Sequence, residues 1–244
     1  MHFNDIKYLS IDNQDLLEAV EKAYQDVFGD GKDHEDNLRQ RSPIVRFDNR
    51  IRGSLGEILI KKELLNQGIE IISTGTSQDD STDIDIYFNN KYQSNIRMEI
   101  KTSLVPDSWK DLNTVIDKGD IKIIKREGNI EDSKSHVHVQ IYFNFYTDKR
   151  DEFLNTKDSS QLIDKNTNEI INILKYNDIK AAFMGWIDKT SLIEQLNNLN
   201  GTEKVWKFAQ RYYWVCPIKT SKSYNQFIRE INSLILFDYY KQSI

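Results

Sequence analysis

The sequence predicts an α/β fold with a mixed central β-sheet flanked by helices. Two early segments carry apolar residues at helical spacing, whereas several later segments alternate apolar and polar residues as half-buried strands do. The chain of 244 residues is long enough to bury a sizeable core, and no proline-, glycine- or serine-rich linker divides it. We therefore expect a single domain over residues 1–244.

The two predicted helices lie near the start of the chain. The first covers residues 14–28 and stops at Gly29, and the second covers residues 51–67 and stops at Gly68. Both have an apolar stripe at the spacing of an amphipathic helix. The intervening segment, residues 31–43, is polar, and we expect it to be an irregular loop.

A β-hairpin with one charged face is predicted next. Residues 83–88 and 96–101 each alternate apolar and polar side chains, and residues 89–91 supply turn chemistry between them. Burying the apolar side chains places the polar ones together on the other face. These are Asp83, Asp85, Tyr87, Arg97, Glu99 and Lys101.

Further strands are predicted at residues 121–125, 136–146 and 181–187, followed by an aromatic segment at 206–214 and a terminal helix. The middle strand alternates most clearly and places His136 and His138 on its polar face. No third nitrogen or sulfur ligand lies nearby in sequence. We therefore expect these histidines at the surface of the sheet rather than in a zinc site. The aromatic segment is expected to pack in the core.

Charge is unevenly distributed along the chain. The net charge of -5 argues at first against a nucleic-acid partner. One short segment is nevertheless basic, since five arginines against the single Asp48 give it a local charge of +4. A run of arginines suits forked contacts with DNA phosphates. The predicted contact residues are Arg39, Arg41, Arg46, Arg50 and Arg52.

Cysteine content and hydropathy indicate the cellular compartment of the protein. The single cysteine, Cys216, excludes an internal disulfide framework and fits a reducing compartment. The first residues lack the charged and apolar regions of a signal peptide. The longest apolar runs fall far short of the roughly 20 residues that span a bilayer. We expect a cytoplasmic protein without a membrane partner.

The charged hairpin face has the residue types that phosphodiester hydrolysis requires. Asp85 and Glu99 come from neighbouring strands, so both can reach one hard cation such as Mg²⁺ through oxygen. Lys101 lies two residues beyond Glu99 and therefore on the same face. An ammonium there can orient the attacking water and offset developing negative charge.

These residues resemble the motif of the PD-(D/E)XK nuclease superfamily, which has the restriction-endonuclease-like fold. The match consists of Asp85, then Glu99-Ile100-Lys101, preceded by a helix that bears Glu57. The resemblance implies that Asp85 and Glu99 bind Mg²⁺, that Ile100 contributes its carbonyl, and that Lys101 acts on the water. A glutamate on the preceding helix often joins the metal site, and Glu57 occupies that place.

The resemblance covers residues 51–146, which we take as the catalytic core. Residues 147–244 then form an extension that contributes DNA contacts or dimerisation. Thr82 stands where the family name has proline. Asp83 remains the alternative to Asp85 as the first metal ligand, because both face the same side of the strand.

The function implied by the resemblance is Mg²⁺-dependent hydrolysis of double-stranded DNA by an endonuclease. In particular, it implies a type II restriction enzyme that acts as a homodimer on symmetric sites, with a cognate DNA methyltransferase as its genetic partner. Two alternatives stay open. One is a Holliday-junction resolvase or DNA-repair nuclease, and the other is a non-catalytic DNA-binding module of the same fold.

Overall fold

A computed structural model of the chain describes residues 5–29, 42–74, 84–124, 130–198, 203–206 and 211–235. The helices are α1 (Asn13–Phe28), α2 (Pro43–Asn66), α3 (Leu112–Lys118), α4 (Thr147–Asn155), α5 (Thr167–Ile173), α6 (Lys189–Asn198) and α7 (Tyr224–Glu230). The strands are β1 (Lys7–Leu9), β2 (Ile71–Thr74), β3 (Ile86–Asn89), β4 (Asn95–Val105), β5 (Ile123–Ile124), β6 (Val137–Tyr146), β7 (Ala181–Asp188), β8 (Glu203–Trp206) and β9 (Arg211–Trp214). Within these ranges, no helix is both long and apolar enough to cross a bilayer.

Six strands form a mixed central sheet in the order β1-β7-β6-β4-β3-β2. The β4 and β6 strands are parallel, whereas the other neighbours in the sheet are antiparallel. A second, antiparallel sheet has the order β5-β9-β8. The predicted α/β architecture, with a mixed central sheet flanked by helices, is therefore confirmed.

The predicted limits of helix α1 are confirmed. Asp12 caps its start and forms a capping box with Asp15, which satisfies backbone N–H groups that have no partner within the helix. Its buried face includes Leu16, Ala19 and Val20. These positions recur at helical spacing, so their side chains form one apolar stripe, which packs against the core.

Helix α2 begins at Pro43, well before the predicted residue 51. Proline is favoured in the first turn because its missing N–H would have no partner there. The apolar stripe extends back to this point and consists of Ile44, Phe47, Ile51, Leu55 and Leu59, all buried. Arginines between these positions hide the stripe in a linear reading of the sequence. The predicted end is correct, since Gly68 adopts a positive φ of 70° just after the helix.

Apolar clusters cover both faces of the central sheet. One cluster joins α1 and α2 to the face of β6 that carries Val139 and Ile141. The other contains Tyr142 from the opposite face of β6, together with Met184 and Leu192. The polar face predicted for β6 is thus covered by protein, whereas Lys101 on the hairpin stays partly exposed.

The later segments follow the predictions in part. The strands at 136–146 and 181–187 are present as β6 and β7, whereas the strand predicted at 121–125 is limited to β5 among the described residues. Trp214 packs in the second apolar cluster, as expected of a core aromatic. The terminal helix is short, and its Phe227 packs against Trp186 with ring centroids 5.6 Å apart.

Candidate metal and catalytic site

The β3–β4 hairpin brings Asp85 and Glu99 to the same part of the sheet. Ile86 pairs with Met98, so Asp85, the residue before β3, lies across from Glu99. The Asp85 backbone N–H donates to the Met98 carbonyl at 2.9 Å, which prolongs the pairing beyond the strand. Its side-chain Oδ2 accepts from the Ile100 N–H at 2.5 Å. The side chain is therefore held against β4.

Glu99 is buried between two nitrogen groups. Its Oε1 lies 2.8 Å from the Lys101 ammonium, and its Oε2 lies 2.7 Å from Nδ1 of His138. The glutamate is only 5% exposed, whereas the Lys101 side chain is 25% exposed. The ammonium thus marks the side of Glu99 from which solvent reaches the site.

Helix α2 brings Glu57 within electrostatic reach of Asp85. The helix packs closely on β4, because a Cβ at Gly56 would lie only 2.5 Å from the Thr102 methyl. The Glu57 Oε2 accepts from the Lys22 ammonium of α1 at 2.7 Å. Burial raises the pKa of Glu57, and the Lys22 charge opposes this shift. Lys22 is a part of the site that sequence reasoning missed.

Two carboxyl groups of the site have oppositely shifted pKa values. Burial raises the pKa of Asp85 to about 8, against the attraction of Lys101 and with further increases from the charges of Glu57 and Glu99. Burial also opposes ionisation of Glu99, but Lys101 and His138 outweigh it and hold its pKa at about 2. Near neutral pH Glu99 is therefore ionised, whereas Asp85 retains a proton that a bound divalent cation would displace.

The donor set suits Mg²⁺ in its chemistry, since hard cations prefer carboxylate and carbonyl oxygens. Within the described ranges, however, no group of three or more His, Cys, Asp or Glu side chains is arranged to hold a metal ion. Lys101 and His138 occupy the oxygens of Glu99. A cation that binds Glu99 would therefore share an oxygen with one of these partners or displace that partner.

The predicted DNA-contacting arginines differ in their surroundings. Arg50 is exposed and Arg46 is half-buried. Both precede Glu57 on α2 at spacings of seven and eleven residues, which places all three side chains on one helix face. The positive charge of Arg50 also lowers the pKa of Glu57, so the two groups are near each other. Arg39 and Arg41 lie outside the described residues, as does the alternative ligand Asp83.

Arg52, by contrast, is buried in a structural network. Its Nε donates to Oδ2 of Asp48 at 3.0 Å, and a further nitrogen donates to Asn49. The other oxygen of Asp48 accepts from Arg150 at 2.7 Å and from the Tyr176 hydroxyl at 2.8 Å. In this arrangement Arg52 cannot reach a phosphate, and we assign it to the core rather than to DNA contacts.

His138 was expected at the sheet surface but is only 2% exposed. It faces Glu99 because β4 and β6 pair in parallel with these two residues in register. The alternating pattern of β6 places His138 on a polar face, but it does not reveal which strand lies beside it. The histidine–glutamate contact therefore depends on long-range pairing that the sequence pattern alone does not supply.

Comparison with known proteins gives no independent assignment. No protein-family model, no curated protein and no solved structure matches the chain. The function is therefore argued from the chemistry and geometry of the site.

Proposed function

We propose that the protein is a divalent-metal-dependent endonuclease that hydrolyses phosphodiester bonds of double-stranded DNA. One observation carries the proposal. Two acidic side chains and an ammonium, from α2 and the β3–β4 hairpin, lie within electrostatic reach of the buried Asp85, whose carboxylate is held on β4 by the Ile100 N–H. These residues are Glu57, Asp85, Glu99 and Lys101. Perturbed carboxyl groups close to a lysine are typical of catalytic rather than purely structural sites.

In this proposal the carboxylates of Asp85, Glu99 and Glu57 hold Mg²⁺ together with the carbonyl of Ile100. Strand geometry supports the last ligand, because the N–H and C=O of one residue point to the same side of an extended strand. The Ile100 N–H donates to Asp85, so its carbonyl is directed to that side as well. Asp85 and Ile100 thus present oxygen atoms in the same direction.

Lys101 is assigned the catalytic role of orienting the attacking water and stabilising negative charge. A bound Mg²⁺ neutralises charge on the phosphoryl oxygens and activates a water molecule. The Lys101 ammonium lies 2.8 Å from a Glu99 oxygen, which places it beside the proposed cation. From there it can orient the attacking water and stabilise negative charge on the phosphoryl oxygens.

DNA binding is assigned to the exposed side of α2. Arg50 and Arg46 lie on the helix face that also carries Glu57, so cationic groups flank the acidic site. Arginines at these positions would hold the phosphate backbone while the scissile phosphate lies at Asp85. Arg39 and Arg41, which precede the helix, belong to the same proposal.

The order of elements supports a restriction-endonuclease-like core. Helix α2 is followed by the antiparallel meander β2–β3–β4, and the chain then crosses over to β6, which is parallel to β4. The resemblance to the PD-(D/E)XK nucleases implies that the acidic residues act together where the hairpin meets α2. We extend the proposal to a type II restriction enzyme that acts as a homodimer.

The test is cleavage of mixed phage DNAs and of a synthetic four-way junction, each with Mg²⁺ or with EDTA. We expect Mg²⁺-dependent double-strand cuts in the phage DNAs, and sequencing of the ends would give the recognition site. Preferential cutting of the junction would instead indicate a resolvase. Binding without cleavage under every metal condition would contradict the nuclease proposal and favour a DNA-binding module.

Variants then test which residues form the site. Single-turnover cleavage across a Mg²⁺ titration should be abolished in Glu99→Gln and Asp85→Asn, but only lowered in Asp83→Asn. The reverse ranking of the two aspartate variants would make Asp83 the ligand. Glu152→Gln provides a matched control, since this glutamate is exposed on α4, away from the hairpin.

A further inference from the structure

His138 is bound to the metal-site glutamate on the side away from solvent. Its side chain is 3% exposed, and its Nδ1 lies 2.7 Å from Oε2 of Glu99. The other oxygen, Oε1, contacts the partly exposed Lys101. The two oxygens of Glu99 therefore have different partners, one fixed in the interior and one at the opening of the site.

The direction of the hydrogen bond is set by the chemistry of the pair. An ionised carboxylate can only accept, so Nδ1 of His138 carries the proton and donates it to Glu99. The second ring nitrogen, Nε2, is buried and has no hydrogen-bond partner in the described part of the chain. The ring thus makes its one side-chain hydrogen bond to Glu99.

The strand that carries His138 is firmly held beside β4. The parallel pairing runs from Met98 opposite Val137 to Leu104 opposite Phe143. The neighbouring side chain on the same face, Gln140, donates to the Lys101 carbonyl at 3.0 Å. His138 is therefore mounted on a fixed part of the sheet and can fix the orientation of Glu99.

We propose that His138 is a positioning residue that holds Oε2 of Glu99, so that Oε1 is the oxygen presented to the divalent cation. This inference rests on the proposed metal-dependent function. The exchange takes place on the exposed side: Lys101 gives up Oε1 while His138 keeps Oε2. Lys101 is thereby released towards the substrate only when the site is loaded. Outer partners of metal-ligating carboxylates commonly control affinity in this way.

The test compares His138 variants that differ in the position of the N–H group that donates to Glu99. In His138→Asn the side-chain amide nitrogen is bonded to Cγ, as Nδ1 is, whereas His138→Gln moves it one bond further out. His138→Leu removes the donor altogether. The readout is Ca²⁺ affinity by isothermal titration calorimetry without DNA, with metal-free thermal unfolding measured separately. His136→Asn is the matched control, since His136 contacts Arg97 rather than Glu99.

We expect His138→Asn and His136→Asn to bind Ca²⁺ within about threefold of wild type, and His138→Gln and His138→Leu to bind roughly 10 to 100 times more weakly. In cleavage assays the weak binders should need more Mg²⁺ for half-maximal rate. Equal Ca²⁺ affinity in wild type and His138→Gln would overturn the inference, as would unchanged affinity in Glu99→Gln. If His138→Leu does not fold, the Ca²⁺ affinities of His138→Asn and His138→Gln still test the inference. Wild type that binds Ca²⁺ but cuts no DNA would refute the nuclease proposal alone.

Discussion

Replacing Asp85 with asparagine should remove a pH dependence of folding stability that the wild-type protein carries. Burial, with Glu57 and Glu99 adding to it, raises the pKa of Asp85 from 3.8 to about 8. Between these values the folded protein retains a proton that the unfolded chain has released. Stability therefore falls as the pH rises through this window. Glu99 has the opposite shift, but above about pH 5 it is ionised in both states, because its pKa is lowered from 4.5 to about 2.

The size of this change in stability follows from the single proton that Asp85 binds in the folded state. A difference of one bound proton changes the free energy of unfolding by about 1.4 kcal/mol per pH unit, or roughly 2 to 3 kcal/mol between pH 5 and 7. Asparagine can still accept from the Ile100 N–H through its amide oxygen, but it does not titrate. The stability difference between Asp85→Asn and wild type should therefore shift by this amount in favour of the variant.

The assay is urea unfolding, followed by circular dichroism, at pH 5, 6 and 7 in EDTA. Subtracting wild type from variant removes the titration of groups common to both proteins. The series should be repeated with saturating Ca²⁺. The cation should stabilise wild type most at pH 7, because Asp85 loses its proton more easily there and can then bind Ca²⁺. A stability difference that stays constant within about 0.5 kcal/mol from pH 5 to 7 would refute the argument.

Three other substitutions test separate parts of the molecule. Lys101→Ala should abolish single-turnover cleavage yet leave DNA affinity by gel shift nearly unchanged, and a rate within about tenfold of wild type would remove the lysine from catalysis. Arg50→Ala should weaken binding to any duplex and reduce the salt dependence of log K by about one, whereas an unchanged slope would place this arginine away from phosphate. Asp48→Ala should cost about 3 to 5 kcal/mol in urea unfolding, because it leaves Arg52 and Arg150 buried without their carboxylate. A loss below about 1 kcal/mol would show that water or another acceptor replaces it.

Local patterns in the sequence predicted the local parts of the fold. Alternation in residues 83–88 and 96–101 predicted the hairpin, because side chains of a strand point to alternate faces whatever its neighbours are. Gly29 and Gly68 likewise mark the ends of the first two helices. The start of α2 was placed too late, since its apolar stripe before residue 51 is interleaved with arginines. The short β1 carries too few residues to form a recognisable pattern.

The candidate site likewise contains residues that a local pattern predicts and residues that only long-range contacts bring together. Asp85, Glu99 and Lys101 belong to one hairpin, so their proximity follows from a short turn. His138 and Lys22 come from β6 and α1, and their contacts with the site require long-range pairing and helix packing. The role of Arg52 also depended on distant residues, because its partner Asp48 is held by Arg150 from α4. A cluster of arginines in sequence is therefore divided in space between surface and core.

The covering of both sheet faces has a consequence for how DNA would be cut. Among the proposed site residues, Glu57 and Lys101 keep partly exposed side chains, whereas Glu99 is buried. If the protein cuts DNA as we propose, one chain holds one such site and would cut one strand in one encounter. A plasmid should then pass through a nicked circle when the protein is dilute. At higher concentrations, where two copies occupy one site, the linear form should arise directly.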